Sequence, residues 1–175
     1  MVTDDSEKAL EDLIEASLIA VVDGESTEYH KGDPKNFDQE RALDATLFWR
    51  FLEETQSTEL DKLRTRHDWQ RLVLERLDRK IKKDGLLSIL KKGFSIDDAH
   101  LKLLYRLPYN TLTPQVERLF EANIFSVTRQ VHFSTANPMD SVDLVLFING
   151  LPIVTALNCM NAYFWSFSPS VHLRF

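Results

Sequence analysis

SVDLVLFINGLPIVTAL, residues 141–157, carries two signals in succession. Residues 141–148 are apolar at most positions and run into a turn dipeptide, which is the pattern of a buried strand. Asn149-Gly150 comes next, the strongest short hairpin signal, because a type I′ turn needs positive φ at both central residues. LPIVTAL (151–157) is then the returning strand. Upstream, IFSVTRQVHF (124–133) is mainly β-branched and aromatic with rough alternation, so it adds a strand, joined to the hairpin through a turn at Thr135–Pro138. The C-terminal third is a β-meander.

The first two thirds change period. Residues 7–21 set Leu10, Leu13, Ile14, Leu18 and Val21 at helical spacing, with Ser6 as N-cap. Residues 22–36 hold Gly24, Gly32 and Pro34 and read as a loop. Asp44 caps a second helix whose apolar face is Leu47, Phe48, Phe51 and Leu52. A third helix starts near Ser57 or His67, lines one side with Trp69, Leu72, Val73, Leu77 and Ile81, and ends at Gly85. Residues 86–110 are either strand, turn and strand or two short helices, since periodicity does not choose between them over such short runs. Thr113-Pro114 opens a helix over 114–122 that Asn123 closes. The fold class is α+β, with N-terminal helices packed on a C-terminal mixed or antiparallel meander.

Composition narrows the function classes. A chain of 175 residues with 43% hydrophobic and 27% charged residues has the make-up of one globular domain rather than a disordered segment. One cysteine, Cys159, excludes an internal disulfide and a cysteine zinc cluster. No apolar run approaches the ~20 residues that span a bilayer, and the acidic MVTDDSEKALED start is neither a secretory signal nor a transit peptide, so a soluble intracellular protein is expected. The net charge of −6 is unevenly spread: −12 over residues 1–61, +7 over 62–92 and −1 over 93–175. The basic stretch displays Arg71, Arg79, Lys80, Lys82 and Lys83 on the outer side of the third helix, and such a stripe attracts phosphate backbones by counterion release. The plainer alternative is a solvated helix face.

Asp143 is the residue with chemistry to offer. It sits among Val142, Leu144, Val145 and Leu146, where a carboxylate is costly unless paired, hydrogen-bonded or bound to a cation. It is either an edge-strand carboxylate facing solvent or a ligand for a divalent metal such as Mg²⁺, which takes hard oxygen donors. The histidines at 30, 67, 100, 132 and 172 show no metal-ligand spacing, Cys159 has no basic neighbour, and Ser134 and Ser141 lack a base.

FDQERALDATLFWRFLEETQ (37–56), DGLLSILKKG (84–93), VERLFEANIFSVTRQVHFS (116–134) and SVDLVLFINGLPIV (141–154) together resemble the N-terminal part of the restriction (R) subunit of type I restriction-modification enzymes. The resemblance runs from about residue 6 to 154, and its most specific pieces are the Arg129-Gln130 strand and the block from Asp143 to Pro152. It implies a nuclease core of the PD-(D/E)xK type that cuts double-stranded DNA with Mg²⁺, in bacterial or archaeal cytoplasm, alongside methylation and specificity subunits. It also implies an Asp, matched by Asp143, and a Glu-x-Lys pair on the returning strand. The acidic residues hold the metal, and the Lys assists water and stabilises charge on the phosphate. On the first helix it implies a further acidic residue, best matched by Glu11, against the alternative of a solvated glutamate. Arg129 and Gln130 join the stripe as expected DNA contacts.

The sequence departs from that pattern at the returning strand. Counting from Asn149, the Glu position falls on Leu157 and the Lys position on Cys159; slipping by one gives Ala156 and Asn158. Neither register supplies a carboxylate or an ammonium. No GxxxxGK[ST] loop occurs, so no ATP site is expected in this chain. The expectation is therefore a nuclease-like domain over 1–155 that forms a partial core, and a divergent tail over 156–175, out of frame or truncated, with weak or absent Mg²⁺ binding and cleavage.

Overall fold

In chain order the computed structural model contains α1 (Asp4–Ile19), β1 (Val21–Val22), β2 (Glu25–Ser26), β3 (Tyr29–Lys31), a 3₁₀ turn (Pro34–Asn36), β4 (Phe37–Asp38), β5 (Leu43–Asp44), α2 (Ala45–Arg64), α3 (Trp69–Asp84), α4 (Leu86–Lys92), β6 (Phe94–Ile96), β7 (Ala99–Leu101), α5 (Pro114–Glu121), β8 (Phe125–His132), β9 (Ser141–Ile148), β10 (Leu151–Cys159) and β11 (Ala162–Phe167). The structure describes residues 4–19, 21–22, 25–26, 29–107, 114–134, 137, 140–159 and 162–167, and among these the side chains of all but 4–7, 21–22, 25–26, 157–159 and 162–167. The proposed caps Ser6 and Thr113 and most of the Thr135–Pro138 turn lie outside the described residues or side chains. The class is α+β. The chain divides into two compact units, one of residues 1–45 with 124–168 and one of 46–123 with 169–175.

The first unit is a five-stranded sheet in the order β11-β10-β9-β8-β3. The hairpin forms as its turn residues dictate: Asn149 has φ 51° and Gly150 φ 79°. Asn149 is fully buried, and its side-chain oxygen accepts from the Ile124 N–H at 2.6 Å while its own N–H donates to the Ile124 carbonyl at 2.7 Å. The turn is thereby fixed to the start of β8, and the Asp44 N–H closes the other side on the Gly150 carbonyl at 2.8 Å. β8, β9, β10 and β11 pair antiparallel. Strand β10 runs through residue 156 without a break to Cys159, so the expected boundary at 155/156 falls inside a continuous strand.

Two expectations for this unit need correction. The segment 22–36 is not all loop, because Tyr29–Lys31 pairs parallel with Phe125–Val127 and makes the sheet mixed. Three residues have no readable period; the partner strand makes β3, not its own sequence. Gly32 follows it because nothing larger fits: a Cβ there would lie 2.1 Å from Thr128 Oγ1. The inward face of α1 also differs. Ile14, Leu18 and Ile19 pack against Val127, Leu144 and Ala156, but Leu10 and Leu13 are exposed, and Glu11 and Glu15 turn inward instead. Cations on the facing strands override the hydrophobic period, as the next subsection describes.

The second unit follows the helical reading closely. Phe48, Phe51 and Leu52 are buried on α2, Val73 and Leu77 on α3, and Gly85 (φ 80°) ends α3 with its N–H on the Ile81 carbonyl at 2.9 Å. The two starts considered for the third helix mark two real interruptions. α2 leaves helical geometry at Gln56 (φ −143°, ψ 34°), and α3 begins at Trp69. The Gln56 amide bonds both sides of Lys102, donating to its carbonyl at 2.8 Å and accepting from its N–H at 2.6 Å. Residues 86–101 take one half of each alternative, a short helix α4 followed by the β6–β7 hairpin. Among the described residues no helix is long and apolar enough to cross a membrane.

Candidate functional site

Three side chains converge where α1 meets β8 and β9. Gln130 Nε2 lies 3.4 Å from both carboxylate oxygens of Glu11 and 3.5 Å from Asp143 Oδ1, and Gln130 Oε1 accepts from the Ser141 hydroxyl at 3.2 Å. Glu11 is therefore no solvated helix residue: it is 6% exposed. Asp143 is half-buried at the centre of β9.

Arg129 completes the arrangement. Its guanidinium donates to Glu11 Oε2 through Nη2 at 2.7 Å and Nε at 3.1 Å, pairs with Asp12, and stands 3.8 Å from Glu15. Burial opposes its charge, but the hydrogen bonds it donates to Glu11 and Asp12, together with their negative charges, outweigh that and raise the Arg129 pKa. Glu15 also takes Lys31 Nζ from β3 at 2.9 Å, while its Oε1 has no hydrogen-bond partner among the described residues. Regular alternation would send Arg129 and Gln130 to opposite faces. Both reach Glu11 because Gln130 adopts φ 50°, a left-handed conformation inside a strand. A strained backbone residue of this kind marks a place where side-chain direction matters more than ladder regularity.

The hairpin sets the remaining positions. Ala156 pairs with Leu144, so the next position along each strand is Leu157 and Asp143. Position 159 follows two residues on, in the period that returns to the same face. Leu157 and Cys159, where the resemblance implies Glu and Lys, are thus two residues apart on β10, with Leu157 next to the Ala156–Leu144 pair.

Residues 33–156, 124 of the 175 in the chain, match the family model for the type I restriction enzyme R protein N terminus. The chain belongs to that family. The match ends at Ala156, one residue before Leu157. Searches of the curated proteins and of the solved structures find no match. Membership sets the chain in the context of restriction systems and DNA.

The Mg²⁺ that the R-subunit resemblance implies can be tested against this donor set. Among the described residues no three Asp, Glu, His or Cys side chains stand together as metal ligands. Of the two carboxylates beside Gln130, Glu11 is held by Arg129. Leu157 and Cys159 stand in the sequence where the resemblance implies a Glu and a Lys, so this donor set differs from the one the resemblance implies for Mg²⁺.

The basic stripe also changes character in the structure. Arg71 pairs with Asp68 at 2.6 Å and Glu75 at 2.5 Å, and the Glu75 hydrogen bond, its charge and the Asp68 contact raise the Arg71 pKa. Lys82 pairs with Asp78 at 2.6 Å and Lys80 with Asp84 at 3.3 Å. These are exposed i,i+3 and i,i+4 pairs, which solvent screening keeps weak on a helix surface. Arg79 donates to the Glu75 carbonyl at 3.3 Å, and Lys83 is exposed. Residues that the sequence did not single out are Asp12 and Lys31, which become visible only once β3 and α1 are in place.

Proposed function

We propose that the chain is a nuclease-fold domain that engages double-stranded DNA within a restriction assembly without cutting it. One observation carries this: Glu11, Gln130 and Asp143 converge beside a hairpin of the right register, yet positions 157 and 159 hold Leu and Cys and Glu11 is neutralised by Arg129. Losing a metal ligand and a charge-stabilising Lys removes several kcal/mol of transition-state stabilisation, and every ~1.4 kcal/mol is tenfold in rate. Cleavage falls away while phosphate attraction by the basic residues of the second unit remains. Partners in this reading are duplex DNA and the methylation and specificity subunits of the assembly.

The test is plasmid cleavage with Mg²⁺ by the Leu157→Glu/Cys159→Lys variant, with Asp143→Ala added as control. Asp143-dependent cutting by that variant supports a disarmed nuclease scaffold; no cutting by it removes the scaffold reading. The change of residue character at 156–159 fits a shift of coding frame near residue 156. A shifted frame in the coding DNA that restores Glu and Lys supports that origin, and its absence refutes it.

A further inference from the structure

We propose that Arg66, Arg76 and Arg79 form a pocket for a phosphate group of the duplex backbone, beside α3 and the β6–β7 hairpin. This rests on the DNA-engaging role above and names the place in the second unit where it acts.

The pocket has a volume of about 130 Å³ and is lined by Arg66, Leu72, Arg76, Arg79, Ile96 and Asp97. At roughly 30 Å³ of liquid per water it holds about four waters. Sites for drug-sized ligands start near 300 Å³, so this one suits a single hydrated oxyanion and not a whole nucleotide. Three guanidiniums face one carboxylate. Asp97 is 3.3 Å from Arg66 and largely exposed, and Asp68 is 3.9 Å from the same Arg66.

Arg76 and Arg79 differ from the rest of the stripe. Each uses its Nε on a backbone carbonyl, Arg76 on Ser95 and Arg79 on Glu75, both at 3.3 Å. That holds the head groups and leaves their terminal N–H edges available. Among the described residues neither pairs with a carboxylate, whereas Arg71, Lys80 and Lys82 all do. A guanidinium edge donates two parallel hydrogen bonds to a phosphate, and the Leu72 and Ile96 walls reduce the water that competes for them.

Arg76, Arg79 and Lys83 follow i, i+3, i+7 spacing on α3, a single helix face. At 1.5 Å rise they span about 10 Å, and a duplex strand presents a phosphate every ~3.4 Å of axis. A line of cations that long matches consecutive backbone phosphates; a free oxyanion needs only one end of it. This favours duplex backbone as the occupant.

The experiment is fluorescence anisotropy of a labelled 20-base-pair duplex with the full chain, over 50–200 mM KCl. Each phosphate contact contributes about 0.9 to the slope of log affinity against log salt. Arg76→Gln/Arg79→Gln is expected to lower that slope by about 1–2 for any duplex sequence, while Arg50→Gln, which loses one charge on α2 outside the pocket as Arg79→Gln does within it, leaves the slope within about 0.3. Arg79→Gln alone, whose lost Nε bond is internal to α3, is expected to lower it by about 1 and guards against a misfolded double variant. A slope unmoved by both variants, or moved equally by Arg50→Gln, overturns the pocket and leaves the DNA-engaging role standing. Absence of duplex binding by the unmodified chain overturns both. Inorganic phosphate that shifts the Arg76 and Arg79 Nε NMR signals while the duplex slope stays fixed overturns the backbone assignment in favour of a free oxyanion.

Discussion

Arg129→Ala is the most informative perturbation of the first unit. The substitution removes the counter-ion of Glu11 and the farther of two cations beside Glu15, at 3.8 Å against 2.9 Å for Lys31. Glu11 and Glu15 are only 8% and 10% exposed at the side chain, so neither recovers bulk hydration. Breaking a buried pair by deleting one partner costs about 3–5 kcal/mol, because the remaining charge stays buried. Two features set the effect at the low end. Lys31 still pairs with Glu15, and Gln130 still stands within 3.4 Å of Glu11. The exposed Asp12 adds little. The expected loss is therefore about 3 kcal/mol, or about 6–12 °C in melting temperature for a chain of this size. Urea unfolding by circular dichroism at pH 7 measures it. Arg129→Met/Glu11→Met should recover most of the loss, as apolar replacement of buried pairs generally does. A loss below about 1 kcal/mol for Arg129→Ala refutes the view of Arg129 as a resident counter-ion.

Other parts of the structure give equally direct tests. Gly32→Ala should cost about 1–3 kcal/mol in urea unfolding, because its Cβ would stand 2.1 Å from Thr128 Oγ1, and adding Thr128→Ala should recover part of that; equal stability of Gly32→Ala and the parent contradicts the close approach. Asn149→Ala should cost about 1–3 kcal/mol, since it leaves the buried Ile124 N–H without its 2.6 Å acceptor, and hydrogen exchange at Ile124 should accelerate. The Glu59 carboxyl titrates below the ordinary glutamate range, first because Lys62 donates to it and next because the His100 backbone N–H does. A depressed folded-state pKa stabilises above the unfolded value and the effect is lost as pH falls through the folded one, so NMR should give a low Glu59 midpoint that rises in Lys62→Ala.

How legible each part was depends on where its information lies. The hairpin was readable because Asn149-Gly150 encodes its own geometry, and β9 appears over the expected residues 141–148. The buried faces of α2 and α3 were readable because apolar spacing alone positions Phe48, Phe51, Leu52, Val73 and Leu77. The inward face of α1 was not, because Glu11 and Glu15 take it through partners more than 110 residues away on β8 and 16 away on β3. The short strand β3 has no period to read, and its pairing comes from β8. Asp143 stood out by its apolar strand neighbours, Glu11 was named from the resemblance, and Gln130 was expected on DNA. The bridge Gln130 makes between them depends on a left-handed φ that no local signal announces. Arg71, Lys80 and Lys82 looked like free cations in the sequence, although their partners at i−3, i±4 were already visible there.

The central claim is a domain that holds DNA and does not cut it. The most direct measurement is supercoiled-plasmid incubation of the unmodified chain with Mg²⁺, run beside duplex anisotropy on the same preparation. The expected result is salt-sensitive duplex binding with the plasmid left intact. Plasmid cutting that disappears in Asp143→Ala would contradict it and would mean that ligands other than positions 157 and 159 complete the site.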